Sequence, residues 1–451
     1  MKYSYFILFV IMFFSACNML EVEPYDAIPA EQVLTNKKGL DGSLNGAYDV
    51  LQSASLAADA IVFPDLAADN FIAIGSKIEY DEVSNNMILA SNAYVESIWN
   101  NSYTGINLVN YIIEGIDGVS GISPEQKNSY LAQCYFLRAF HNFNLVRFFG
   151  DIPLRKIPVK SASSESLNIP LSSKSDVFAF IIDDLKLSEQ LFGGTGKGNS
   201  AFANEGAAKA LLSKVYLYTN NWALAAAKAD EVLGLGYTLE NNGYAKIFDE
   251  TVSNNEIIFQ IDFYNDQEAS NLLSDWLSSQ GRTMVAVWKD KNKTQSLIND
   301  FEVGDLRKDA TVKYLNGLQG QHNYCMKYTQ LLTGKDNVII LRLADIYLIK
   351  AEALNELGFV ADGQAFDAIN AIRARAGLSV LNQTTTPNQN AFRLAVEKER
   401  QLELAFEGNR LFDLRRTNRI DAVVPDIGTL KEAGWYFPIP QTEMDTNDAI
   451  K

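Results

Sequence analysis

The chain has 451 residues, 47% of them apolar, enough to bury a large core in one or two domains. Its 55 acidic against 39 basic residues leave a formal charge of −16, which argues against nucleic acid and anionic lipid as ligands through simple repulsion. Only two histidines exist, His141 and His322, so no HExxH, no Cys/His metal spacing and no histidine-based nucleophile cluster can be assembled.

Lys2 begins a positive n-region, and Phe6 to Phe14 form an apolar run well short of the ~20 residues that cross a bilayer as a helix. Ser15-Ala16-Cys17 follows at once, and small residues before a cysteine fit cleavage by a lipoprotein signal peptidase, with Cys17 then acylated. Residues 1–16 are therefore read as a lipoprotein signal peptide and 17–30 as a polar, acidic tether. Phe14, where such signals usually carry Leu, is a mild departure.

Helical period dominates the next region, 31–236. From Tyr130 to Phe149 apolar residues cover so much of the circumference that the helix must be largely buried, and Gly150-Asp151-Ile152-Pro153 breaks it. Cys134 and His141 lie in this run and are expected as core residues. Ser173 to Phe192 reads as an amphipathic helix with Ser173 or Ser175 as N-cap, ending at Gly193 to Gly198, which lacks the Lys-Ser/Thr of a phosphate loop. Neither a cofactor nor a metal is expected. Ala207 to Leu235 reads as two helices about the Asn220-Asn221 turn, with Ala225, Ala229 and Val232 at helical spacing. Leu341 to Gly358 and Asp362 to Gly377 repeat that hairpin at roughly the tetratricopeptide length of ~34 residues.

Residues 237–338 differ. Glu256 to Phe263 (EIIFQIDF) suggests a strand, and around it lie Asn/Asp/Ser-rich loops with scattered aromatics, the usual seat of specificity on a rigid scaffold. Residues 339–451 return to helix and close in an extended tail at Tyr436 to Gln441. Within them Glu397 to Arg416 (EKERQLELAFEGNRLFDLRR) predicts two helical pieces meeting at a corner, with Gly408 as a left-handed C-cap. The charges interleaved there at i, i+3 and i+4 predict an ion-paired lattice rather than a catalytic cluster.

That run resembles the C-terminal signature of the SusD/RagB family, surface lipoproteins that bind nutrients for an outer-membrane transporter. Gln133 to Leu154, Ala207 to Tyr218, Leu341 to Gly377 and Tyr436 to Asn447 carry the same resemblance, in the family's order. It implies a mostly α, tetratricopeptide-like scaffold of about four helix pairs with a loop-rich, partly irregular ligand-binding region. It also implies a SusC-like TonB-dependent transporter as partner, a glycan as ligand, attachment to the outer membrane by lipid, and binding without hydrolysis. Glu21 and Glu23 after the cysteine go, in that family, with export to the outer face. The alternatives are a RagB-type peptide binder on the same scaffold and a helical-repeat assembly factor without a small ligand. A glycosidase needs only two carboxylates flanking a bond, but nothing in the sequence selects such a pair.

Sugar binding asks for flat apolar ring faces flanked by planar polar side chains. Trp276 and Trp288, with Tyr264 and Phe263 nearby, are the expected platforms, all in the loop-rich middle. By resemblance, Asp69-Asn70 forms the polar end of the first long helix at the ligand surface, Tyr80 follows on the same loop, and Trp99 belongs to the core.

Overall fold

A computed structural model describes residues 33–450 apart from 76, 161–166, 250–253, 264–269, 288–296, 333 and 425–427. The signal peptide, the whole tether with Cys17, Tyr264 and Trp288 lie outside the described residues. No described helix is long and apolar enough to cross a membrane.

The chain opens with α1 (Lys37–Asp49), a π-helical turn Ser55–Asp59 running into α2 (Ala60–Leu66), strand β1 (Phe71–Ala73) and α3 (Ile78–Ser84). Two long helices follow, α4 (Ala93–Gly115) and α5 (Pro124–Phe149). At the start of α5 a capping box joins Ser123 and Gln126, with Pro124 at the first helical position, so the otherwise orphaned amides are satisfied or absent. From Phe136 to Phe149 every residue of α5 is buried, as its apolar circumference requires, and Gly150 at φ 79° ends it.

After the short pair β2 (Ile152–Pro153) and β3 (Leu171–Ser172) comes α6 (Lys174–Phe192), capped by Ser173, whose Oγ accepts from the Asp176 amide, and closed by left-handed Gly193. The helices α7 (Glu205–Tyr218) and α8 (Trp222–Leu233) form the expected hairpin, with Asn220 at φ 57° supplying the reversal. The middle segment contributes β4 (Ile257–Ile261), α9 (Leu272–Leu277), β5 (Val285–Val287) and the single turns α10 (Leu297–Asp300) and α11 (Lys308–Thr311). It then forms the hairpin β6 (Val312–Gly317) and β7 (Gly320–Cys325) and ends in β8 (Val338–Arg342). The C-terminal region carries α12 (Leu343–Leu357), α13 (Gln364–Arg375), α14 (Gln389–Glu403) and α15 (Arg410–Arg416).

Successive helices pack on one another, α4 on α5, α5 on α6, α6 on α7, α7 on α8, α8 on α12, and α12 on both α13 and α14. Ala225 and Ala229 of α8 and Ala351 and Ala353 of α12 are fully buried, and such small side chains let paired backbones approach closely. The result is the mostly α, tetratricopeptide-like stack expected from periodicity. Leu341 and Arg342, expected at the start of a helix, instead finish β8, where they pair with Phe259 and Ile257 of β4. β1 pairs antiparallel with β5, and β8, paired with β4, runs directly into α12, so the middle segment is stitched to the scaffold at both β1 and α12; β6 pairs with β7 within the segment.

The corner at Glu397 to Arg416 is built differently from the single C-cap expected. Helix α14 stops at Glu403, and both Phe406 (φ 67°) and Gly408 (φ 71°) take left-handed backbone before α15 begins. Gly408 is required twice over: a Cβ there would stand 3.1 Å from the Ile61 Cα and 3.2 Å from the Ala60 carbonyl oxygen. The tail Tyr436 to Pro440 is extended and lies on the scaffold, the Phe437 amide donating to the Phe148 carbonyl.

Cys134 and Cys325 are both buried free thiols. Trp99 is buried, as expected, with its indole N–H reaching Glu443. His141 is a core residue too, but a dry one: both ring nitrogens are buried without a hydrogen-bond partner among the described residues, and burial pushes its pKa down to about 4. The ring occupies the space left by Gly105 on α4, where a Cβ would fall 2.2 Å from Nε2.

Candidate ligand-binding face

The charges of the C-terminal signature do pair, but mostly with residues far away in the chain. Glu403 receives Arg342 from β8, Arg307 from the middle segment and Arg375 from α13, all with side chains essentially out of water. Glu407 takes Lys327 at 2.6 Å and Arg342 at 2.7 Å, and Glu399 takes Arg307 at 2.5 Å. Within the run itself, Asp413 takes Arg400 and Arg416 at 2.8 and 2.9 Å. Burial by itself would raise the Glu403 carboxyl, but the guanidinium groups of Arg375, Arg342 and Arg307 outweigh it and hold the group well below the ordinary carboxylate range. This lattice is a clamp. Arg307 and Lys327 belong to the loop-rich middle, and through Glu399, Glu403 and Glu407 that segment is fastened to the helical stack.

The same corner accounts for two of the expected site residues. Asp69 accepts from Arg410 Nε at 2.6 Å and Nη2 at 2.8 Å, and from Gln401 Nε2 at 3.1 Å. Asn70 is buried, donates to Asp65 at 2.5 Å and accepts from Gln401 at 3.2 Å. Asp65 in turn accepts from the amides of Phe406 and Gly408. The polar end of the first long helix is therefore occupied in holding the α14–α15 corner.

Three aromatic expectations are corrected, at Trp276, Phe263 and Tyr80. Trp276 is only 6% exposed, and Phe263 beside β4 is 3% exposed, so neither presents a ring face as a platform. α9 turns Trp276 inward, where it meets Tyr80 edge to face at 6.0 Å. Tyr80 is itself buried, packed edge-on against Phe63 at 5.1 Å and Tyr94 at 5.5 Å, and its hydroxyl donates to Asp59 at 2.7 Å. Burial pushes the Asp59 carboxyl up to about 7 against the opposing pull of that hydrogen bond. An amphipathic short helix and an exposed loop tip share one local sequence pattern, and here the packing of α9 over Tyr80 decides for the former.

What the middle segment does expose is the β6–β7 hairpin. Tyr314 is 52% exposed, and the register Tyr314↔Asn323 and Asn316↔Gln321 places these four residues on one face, since side chains alternate along a strand. One exposed ring thus stands beside the exposed carboxamides of Asn316 and Gln321, with Asn323 buried beneath, and the Tyr314 hydroxyl donates to Gln321 at 3.2 Å. The hairpin is docked on the segment before β5: Gln319 donates to the Arg282 carbonyl and the Leu318 amide to the Ser279 carbonyl. Arg282, 75% exposed along its side chain and bonded to Asp275 at 2.5 Å, borders it. β5 runs directly into Trp288. The sequence signal for this face was the alternation about Gly317 and Gly320, too short to separate from the surrounding loops.

A family model described as "SusD family" matches residues 310–431, and one described as "Starch-binding associating with outer membrane" matches residues 18–217. The chain is 26% identical to SusD-like protein P2 of Formosa agariphila, over 100% of this chain and 98% of that one. Among solved structures, a laminarin-binding SusD-like protein superposes with a TM-score of 0.78 at 24% identity, covering 92% of this chain and 99% of that one. Surface glycan-binding protein A from Bacteroides thetaiotaomicron, in complex with laminarihexaose, gives 0.77 at 20% identity, covering 92% and 98%. With matching segments at both ends, relatives alignable along its whole length and the same helical stack, the chain belongs to the SusD/RagB family.

Proposed function

We propose that the protein is a cell-surface glycan-binding lipoprotein, anchored through acylated Cys17, that delivers oligosaccharide to a SusC-like TonB-dependent outer-membrane transporter without hydrolysing it. The observation that carries the reading is the β6–β7 face: an exposed ring, Tyr314, flanked by the exposed planar amides of Asn316 and Gln321, on a segment clamped rigidly to the scaffold. A pyranose offers an apolar face to the ring and hydroxyls to the amides, and the rigid hairpin loses little freedom on binding. Trp288 and Tyr264, the sequence-based candidates, lie outside the described residues. Membership of the family and its likeness to proteins named for laminarin or laminarihexaose binding support a neutral glucan as the ligand class.

An open face of this kind gives modest affinity, on the order of micromolar to millimolar, which suffices if a second protein confines the ligand. A lipid anchor holds the domain in the membrane plane and raises its effective concentration over a barrel beneath it. The test is a glycan array probed with wild type and Tyr314→Ala. Binding of a neutral glycan by wild type that weakens about tenfold in the variant, with an unchanged melting temperature, supports the reading; a wild type that binds no glycan, or binds peptides instead, ends it.

A further inference from the structure

A cleft of about 670 Å³ opens on another side of the molecule, between the end of α1, the loop before α7 and the end of β4. Its size falls in the range of small-molecule sites. It stands apart from the β6–β7 face: Leu51 and Gln52 border it at the start of the helical run Ser55 to Leu66, whereas Asp69, β1 and the segment paired with it lie beyond the end of that run, roughly 18 Å away at ~1.5 Å per residue.

Its centre is Phe202. The ring is 44% exposed, and Phe202 and Tyr314 are the two aromatic side chains that stand out to this degree among the described residues. The loop that presents it is built to hold it there. Tyr48 meets the Phe202 ring edge to face at 5.1 Å, and its hydroxyl accepts from the Ala203 amide while donating to Gln133. Asn204, the N-cap of α7, donates to the carbonyls of Asn199 and Phe202, and the Gln260 amide fastens Ser200 to the edge of β4. These bonds fix the loop so that the ring, packed on Tyr48 along one edge, keeps the rest of its surface turned to solvent.

The walls are polar and planar. Gln52 donates to the Asp262 carbonyl at 2.7 Å, and Gln260 Nε2 reaches the Asp262 carboxylate at 3.3 Å. That arrangement leaves Gln260 Oε1 as a buried acceptor with no hydrogen-bond partner among the described residues, a group whose desolvation is costly until a donor arrives. Asn45 and Asp49, one turn apart on α1, are exposed on the opposite rim. No lysine or arginine stands among the described residues that line the cleft. An anionic ligand is therefore disfavoured, and a flat, neutral ligand that donates hydroxyls fits.

The geometry points to a second carbohydrate-binding site in this cleft, with a pyranose stacked on Phe202 and hydroxyls donated to Gln260, Asp49 and Asp262. It goes beyond the glycan reading of the β6–β7 face and predicts that the protein holds saccharide at two places at once.

The experiment reads the cleft locally. Asn45→Cys places a thiol on the rim of the full-length lipoprotein, where Cys134 and Cys325 are buried and contribute little background. Its alkylation by an uncharged maleimide is followed with and without laminarihexaose or maltohexaose, alongside calorimetry on the same samples. Protection of at least fivefold is expected, retained when Tyr314→Ala is added and lost with Phe202→Ala; Asp49→Ala, on the exposed rim, is expected to reduce it severalfold and serves if Phe202→Ala fails to fold. Calorimetric binding without protection of the thiol overturns the second site and leaves the function proposed above standing. Protection that vanishes with Tyr314→Ala, or that tetramethylammonium alone confers, also overturns it. Absence of any calorimetric binding removes both proposals.

Discussion

Arg342 and Glu403 are joined twice: Nη1 of the arginine lies 2.5 Å from Oε1 of the glutamate, and Nη2 donates at 2.7 Å to the carbonyl oxygen of the same residue. One guanidinium thus grips both the side chain and the backbone at the end of α14, while its Nε reaches Glu407 across the corner. The family signature is, at its centre, a structural device that fastens the loop-rich middle to the helices.

Replacing Glu403 with Gln removes the shared anion from three buried guanidinium groups. Breaking a buried ion pair from one side costs about 3–5 kcal/mol, because the remaining charges lose their compensation in a low-dielectric site. Glu403→Gln is expected to lower the unfolding free energy by that amount and to open the 237–338 segment to limited proteolysis before the helices. Unfolding in urea and the order of cleavage sites check it; uniform cleavage along the chain would show that the clamp does not act on the middle segment.

Asp59 titrates against stability. Its carboxyl sits at about 7 in the folded protein and at 3.8 ordinarily, so the folded state holds a proton that the unfolded state releases. The contribution is complete below about pH 4 and is lost as pH rises through 7, at up to about 1.4 kcal/mol per pH unit. Asp59→Asn keeps an acceptor for the Tyr80 hydroxyl and removes the titration. The variant should gain on wild type as pH rises from 4.5 to 8; a difference that stays constant with pH means Asp59 is ionised throughout.

His141 carries the opposite sign. Its folded pKa of about 4 lies below the ordinary 6.5, so stability present above pH 6.5 is lost as pH falls toward 4. His141→Leu removes the unpartnered nitrogens and should match or exceed wild type at pH 7, with a flatter acid limb. Gly105→Ala drives a methyl into the ring and is expected to cost about 1–3 kcal/mol, recovered in part when combined with His141→Ala. Thermal melts of wild type, Gly105→Ala, His141→Ala and the double variant decide it; a fully additive pair would mean the two residues do not share the contact.

Cys17→Ala should leave a folded protein released from the membrane fraction, because the described core, beginning at Leu34, lies wholly C-terminal to the tether. Cell fractionation with palmitate labelling tests the anchor. Continued sedimentation with the outer membrane and continued labelling would show that the attachment lies elsewhere.

The helical scaffold was legible in the sequence because its signals are local: the Ser173 cap, the Gly150 and Gly193 stops, the Asn220 turn and the alanines of α8 and α12 act within a few residues of where they stand. The signature at Glu397 to Arg416 likewise announced paired charges, but not their partners, since Arg307, Lys327, Arg342 and Arg375 reach it only once the chain has folded back. The same limit governs the candidate ligand surfaces. A tryptophan in a short amphipathic run has no local mark of its facing, and the packing of α9 over Tyr80 turned Trp276 inward. Phe202 and Tyr314 are exposed for equally non-local reasons: Asn204 and Tyr48 hold one outward, and the register of β6 against β7 places the other. Sequence alone determined the repeat, the caps and the presence of a charged corner, whose causes span a turn or two of chain; which rings meet solvent was decided by contacts between segments far apart in sequence, which only the tertiary structure brings together.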